Sequence, residues 1–295
     1  MLLAFWGLTM RRFRCAVLAA VAAIGFASIA TAADMAVKAP PIAPVGAPTH
    51  SWTGCYIGAN GGYAWNNGKS SYRDPNTTAD PINGLGPATI PTPTDTGGNS
   101  WIGGGQVGCN WQANPLVVLG VEADIDALHA SGSAATVGPA GTYNNGAGNQ
   151  VYLTPPTAAE QVSVRWLSTI RARAGLPVLA DRGLLFVTGG LAIGGVSSSG
   201  SVNLFFNPPA SPYDFWVGSN SSIRTGFTIG GGFEYALSEH WTAKTEYLYY
   251  DLGNASHPLN LIINNCCGGV YPTLGSSIAS VRGSIIRVGL NYLFK

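Results

Sequence analysis

The stretch LGVEADIDALH (119–129) places Glu122, Asp124 and Asp126 at alternate positions, and TIRARAG (169–175) does the same with Arg171 and Arg173. Three carboxylates so close in sequence raise two chemistries. One is a hard-cation site built from oxygen ligands. The other is an acid–base pair in which burial in apolar surroundings raises one carboxyl's pKa. Each meets an obstacle. Alternation reads as a β-strand, whose same-face neighbours stand ~6.5–7 Å apart, too far to share one ion. Nearby arginines also compete for the carboxylates and favour their charged form.

Other chemical signals are weaker. GGGQVG matches G-x-G-x-x-G at Gly103, Gly105 and Gly108, but a dinucleotide fingerprint should open a helix, and this one lies inside an alternating strand. His50, His129, His240 and His257 are scattered without ligand spacing, and no nucleophile motif marks a serine. Cys55, Cys109, Cys266 and Cys267 fit no zinc pattern. No catalytic residue, metal site or cofactor is assigned.

Composition narrows the class. Charged residues make up 10% of the 295, well below the ~25% of ordinary soluble domains. Glycine, at 40 residues, argues against a helical protein. A net charge of +1 without a basic patch excludes a nucleic-acid partner. The N-terminus carries Arg11, Arg12 and Arg14, then an apolar run to Ile29, then small residues, which together read as a secretory signal peptide over 1–32. Met10 is an alternative start. Cleavage after Ala32 removes three arginines and no acid, taking the formal charge to −2. Residues 33–50 form a Pro/Ala-rich linker in the periplasm, and 51–295 the barrel derived below.

Eight segments alternate with period two: about 52–65, 100–112, 116–129, 161–175, 184–196, 223–237, 241–252 and 282–294. Each is near the ~10 residues of a tilted transmembrane strand. The fifth, LLFVTGGLAIGGV, is apolar on both faces and alternates least clearly. Connections run long and short in turn, with 66–99, 130–160, 197–222 and 253–281 long. All long ones then lie at one end, as in an outer-membrane barrel with extracellular loops and short periplasmic turns. The fold class expected is all-β: an up-and-down, antiparallel transmembrane barrel, eight-stranded. Trp52, Trp111, Trp241 and Phe294 fall at periplasmic strand ends, and Trp65, Trp101, Trp166 and Tyr249 towards the outer ends, as two interfacial aromatic girdles.

In that barrel Glu122, Asp124 and Asp126 face the lumen with Arg165, Arg171, Arg173, Arg224, Glu234, Lys244, Glu246 and Arg287. Near-balanced charge in a narrow interior makes an ion-pair network. A cation turned to mid-bilayer lipid would instead cost ~2–4 kcal/mol, so these residues fix strand register. The carboxylates of the opening stretch are therefore structural. Cys55 and Cys109 lie on the lipid face of neighbouring strands. A cross-strand disulfide is open to them; two small apolar residues facing lipid is the preferred reading. Cys266 and Cys267 sit in the last long connection, open to a vicinal disulfide or to pairing elsewhere.

The motifs MAVKAPP, SWTGCYIGANGGYAW, GVEADID, STIRARAGL, GGGFEYAL, WTAKTEYLYYDLG and RVGLNYLF, in this order, resemble the small porin-like surface proteins of alphaproteobacteria, the 25 and 31 kDa outer-membrane proteins. The resemblance covers all eight segments and fails in the long connections. It implies an OmpA-like eight-stranded barrel in the bacterial outer membrane, surrounded by lipid and lipopolysaccharide. It also implies a terminal signal for the barrel-assembly machinery at Tyr292 and Phe294, here shifted by one place because Lys295 follows. The four cysteines are not a feature of the family. The start Ala33-Asp34 resembles starts that relatives attach to peptidoglycan.

The function expected is structural: a surface barrel that supports envelope integrity and displays extracellular loops, without catalysis. One alternative is a narrow diffusion pore, although ~8 strands leave room only for their own side chains. The other is ligand binding or adhesion through the loops, whose partner the sequence does not name.

Overall fold

The computed structural model describes residues 50–73, 95–138, 142–144, 149–206, 213–263 and 269–294. The expected signal peptide, the linker up to residue 49 and the Cys266-Cys267 pair lie outside them. Strands follow in chain order as β1 (Gly54–Asn66), β2 (Ser70–Arg73), β3 (Gly98–Asn114), β4 (Val117–Val137), β5 (Thr142–Asn144), β6 (Asn149–Val178), β7 (Gly183–Phe206), β8 (Tyr213–Ala236), β9 (Trp241–Ile263) and β10 (Gly269–Phe294). Eight of them make the wall, in the order β1-β3-β4-β6-β7-β8-β9-β10, each antiparallel to its neighbours. β10 then pairs back onto β1, from Cys55–Phe294 to Asn66–Gly283. That seam closes the sheet into an up-and-down barrel and leaves no edge in the lipid, where unpaired backbone would be costly. The short β2 and β5 extend β10 and β6 at the upper end.

Alternation produces two unlike faces. On β4, Val118, Glu122, Asp124, Asp126, Leu128 and Ala130 are buried, while Leu119, Val121 and Ile125 are exposed. On β10, Arg287 and Asn291 are buried, while Ile286, Val288 and Leu290 are exposed. The exposed apolar residues form a belt from Trp111, Trp241 and Phe294 at the lower end to Trp101 and Ile223 at the upper end. Such a belt is what a hydrocarbon layer requires. Tight turns at 115–116, 179–182 and 237–240 close the lower, periplasmic end. The second is sharp enough that Leu179, Ala180 and Asp181 all take positive φ.

Two features depart from the expected layout. The strands overrun the membrane: β6 has 30 residues, against the ~9–11 that span a bilayer. Much of the expected loops 130–160, 197–222 and 253–281 is therefore wall. There both faces carry Ser, Thr, Gly and Ala, so alternation is invisible in the sequence. Second, register shifts interrupt the wall above the belt, and two of them reverse which residues face inward. In β6, pairing with β7 skips between Val164 and Trp166, and the inward set changes from Leu167, Thr169, Arg171 and Arg173 below to Val164, Val162 and Glu160 above. In β9 the change falls at Gly253, whose φ of 73° suits glycine.

Candidate functional site

The inward positions stack into four layers along the axis. Lowest is a plug. Trp52, 1% exposed, packs with Val118, Leu184 and Ala236 under the barrel mouth. Its indole N–H donates to the Asp181 carbonyl at 3.0 Å, and its backbone N–H donates to Gln112 Oε1 at 3.0 Å. Trp52 thus leaves the expected girdle, because position 52 precedes β1 and turns under the mouth, where the ring finds apolar cover and an acceptor together. Trp111, Trp241 and Phe294 stand on the outer surface as expected at the lower end, with Trp101 exposed at the upper end. Trp65, Trp166 and Tyr249 are half-buried outward residues near that upper end. Tyr292 packs edge-on against both Trp241 and Phe294, with ring centroids 5.2 Å apart in each pair.

Above the plug lies the charge layer. Arg287 spans three acids: Nη2 to Asp124 at 2.6 Å, Nη1 to Asp126 at 2.7 Å and Nε to Glu246 at 2.9 Å. Arg171 reaches Glu122, Asp124 at 2.8 Å and Glu246 at 2.6 Å. Lys244 Nζ donates to both oxygens of Glu122, at 2.7 and 2.8 Å, and Arg173 pairs with Glu234 at 2.7 Å. All nine side chains are at most 3% exposed. Neutral groups occupy lone pairs the cations leave: the Tyr56 hydroxyl donates to Glu122 at 2.5 Å, Thr169 to Asp124 at 2.9 Å, and Thr242 and Asn291 to Glu234 at 2.5 and 2.9 Å. Such pairing makes the burial of charge tolerable, although Asp126 Oδ1, Arg171 Nε and Arg173 Nε find no hydrogen-bond partner.

Two expected members stand elsewhere. Arg165 is exposed on the outer surface, because the β6 bulge reverses the parity that places Arg171 and Arg173 inside. Arg224 is half-buried and higher up, where its Nε donates to Ser222 Oγ at 3.1 Å. The layer therefore sets five carboxylates against four cations.

The third layer is apolar. Ala64, Ile102, Leu128, Ala130, Val162, Val164, Leu167, Ala192, Val196, Leu248, Leu252, Val281 and Ile285 come from seven of the eight wall strands, all but β8, and form one cluster with Tyr250, Ala255 and Ala279. The sequence reading named only the charged lumen residues, and this apolar layer stands above them. On the two-faced apolar β7, Ala192 and Val196 face into this layer and Leu184 into the plug, while Leu185, Val187 and Leu191 face out.

A small polar layer lies above the lipid belt. His257 Nδ1 is 3.1 Å from Ser198 Oγ and 3.7 Å from Glu160 Oε1. Glu160 and His257 are 2% and 1% exposed. Burial pushes the Glu160 carboxyl up to about 7 and His257 down from its ordinary value. Neither residue was singled out from sequence as a partner of the other, since 97 positions separate them and the intervening bulges shift their parity.

On the outside, β1 and β3 place Cys55 directly opposite Cys109, and the two form a disulfide on the lipid-facing surface. The register overturns the preference for two unlinked residues.

The chain is similar in sequence to known outer-membrane proteins. The sequence profile of a family described as outer membrane protein beta-barrel domain matches residues 19–294. The chain is 35% identical over 282 residues to the 31 kDa outer-membrane immunogenic protein of Brucella melitensis biotype 1, covering 94% of this chain and 98% of that one. It is 26% identical over 291 residues to the 25 kDa outer-membrane immunogenic protein of Brucella abortus biovar 1, covering 97% and 100%. Among solved structures, the N-terminal β-barrel domain of Pseudomonas aeruginosa OprF is similar over 81% of this chain and 97% of its own, at 11% identity and a TM-score of 0.28.

Proposed function

This chain belongs to the outer-membrane β-barrel protein family and resides in the bacterial outer membrane, and from that premise we propose that it is a non-conducting structural barrel. Its work is to hold an extended extracellular wall at the cell surface and to support the integrity of the envelope, without catalysis. One observation carries the reading: the lumen is filled in consecutive layers, by the Trp52 plug, by the ion-paired layer and by the apolar cluster above it. Water crossing the lumen would have both to part salt bridges and to wet a ring of Leu, Val and Ile. The same filling argues against the narrow-pore alternative, since eight strands already leave little more room than their own side chains need. Nothing in the described loops favours one ligand, so adhesion is not developed as a second reading.

Single-channel recording of the refolded mature protein in a planar bilayer tests this, after an unboiled gel sample confirms folding. Silence, or rare and tiny openings, is expected. Steady large conductance would overturn the proposal.

A further inference from the structure

The charge layer and the small polar layer above it bury their acids on different terms. Each of the five carboxylates below touches an arginine. Glu160, 2% exposed, touches no arginine or lysine among the described residues, and its ion-pair contact is with His257 at 3.7 Å. Both Glu160 carboxylate oxygens and His257 Nε2 are buried without a hydrogen-bond partner. So is Ser277 Oγ, which stands opposite His257 in the β9–β10 register and acts on the carboxyl without hydrogen-bond geometry. Buried polar groups almost always find partners, and here four lone atoms gather in one place.

Their chemistry narrows what they could hold. With Nδ1–H donating to Ser198 Oγ at 3.1 Å, the imidazole presents a lone pair at Nε2. A ring tied down through its other N–H is the usual form of a metal-ligating histidine. Oε2 and Nε2 also flank a common point. Both lie within 3.0 Å of where a Cβ on Gly200 would stand, so glycine keeps the space between them open. Three acceptors thus converge with no donor aligned on them among the described residues, which is the arrangement a cation requires. An imidazole beside a carboxylate suits a borderline transition cation, whereas Mg2+ and Ca2+ prefer oxygen ligands.

The place in the fold gives such an ion work to do. Glu160 lies on β6 and His257 on β9, with β7 and β8 between them in the wall. Pairing of β8 with β9 lapses between Val217–Asn260 and Phe227–Asp251, and His257 falls inside that stretch. The ladder that joins the wall strands is interrupted at the height where the unpartnered acceptors meet.

We propose that Glu160 and His257 bind one divalent transition cation of the Zn2+ class through the carboxylate and Nε2, and that the ion ties β6 to β9 where the β8–β9 ladder fails. Water beside the Ser277 hydroxyl completes the shell. The site stands above the plug, the charge layer and the apolar cluster, so a conducting lumen would leave the inference standing.

The test uses the folded full mature protein in zwitterionic micelles, stripped of metal by a chelator and with its free thiols alkylated. The pH is 8, above the value of about 7 to which burial pushes the Glu160 carboxyl. Native mass spectrometry counts bound Zn2+, and amide hydrogen exchange follows residues 218–226 of β8. One Zn2+ per chain is expected, with slower exchange over that stretch, while Mg2+ at the same concentration does neither. Glu160→Gln and His257→Gln should each weaken Zn2+ binding by at least about ten-fold. Both put a neutral polar side chain in place of the ligand, and gel mobility verifies that each variant is folded. His129→Gln, on the outer surface, should bind as wild type does. Absence of Zn2+ binding, equal binding of Mg2+, or undiminished binding by Glu160→Gln or His257→Gln would overturn the site. Bound Zn2+ that left exchange at the β8–β9 seam unchanged would overturn its role as a tie.

Discussion

Arg287→Met is the sharpest perturbation of the lumen. Methionine keeps length and apolar packing but removes a guanidinium that contacts Asp124, Asp126 and Glu246. The three acids do not suffer equally. Asp124 and Glu246 each retain Arg171, at 2.8 and 2.6 Å. Asp126 has no other cation in ion-pair contact among the described residues. The loss is therefore concentrated there, as one buried carboxylate without a counter-charge. Removing one partner of a buried pair destabilises by about 3–5 kcal/mol. Adding Asp126→Asn removes the stranded charge and should restore roughly 1–3 kcal/mol, the desolvation penalty of an unsatisfied group. Asp126→Asn alone should cost less than Arg287→Met, because Arg287 keeps two acids. Urea unfolding in zwitterionic micelles, followed by tryptophan fluorescence and checked by gel mobility, measures all three. A loss below about 1 kcal/mol for Arg287→Met would place the network with exposed salt bridges and refute the reasoning. A double variant no more stable than the single one would refute the assignment of the loss to Asp126.

The upper polar layer should titrate. Because burial raises the folded-state carboxyl of Glu160 to about 7, its contribution is full below the unfolded value near ~4.3 and is lost as pH rises through about 7. Glu160→Gln should then stabilise the barrel at pH 8 relative to wild type and have less effect at pH 5, read by urea midpoints; an equal effect at both would exclude Glu160 as the titrating group. The Cys55–Cys109 bridge should resist alkylation until a reductant is added, as mass spectrometry would show. Cys55→Ser with Cys109→Ser should lower stability by about 2–4 kcal/mol, and unfolding curves that superimpose would argue that the bridge constrains nothing.

How much of this was legible in the sequence depended on contrast between the faces of each strand. Where charged residues alternate with Val, Ile and Leu, as at Glu122–Asp126 or Arg171–Arg173, strand, orientation and register could all be read. The apolar layer was not legible. Val162, Val164, Leu248 and Val281 give no signal of facing in when apolar residues also face out to lipid. The upper wall was hidden for the opposite reason, since water bathes its outside and small polar residues serve on both faces. Arg165 was misplaced by a single inserted residue, because strict alternation carries the parity of Arg171 and Arg173 through a bulge that reverses it. Trp52 was misplaced because aromatic type at a strand end marks an interface as readily as a stopper.

The bulges at Val164–Trp166 and at Gly253 also bear on how such a chain can change. A strand that alternates without interruption is rigidly geared: one residue gained anywhere turns every side chain beyond it to the wrong face. Above a bulge the gearing is already broken. An odd-numbered insertion in the extracellular part of β6 or β9 can be taken up by moving or erasing that irregularity, leaving Arg171, Arg173, Lys244 and Glu246 undisturbed below it. The half of the barrel that meets the outside world can thus lengthen, shorten and diversify in single steps, while the half in the membrane stays locked.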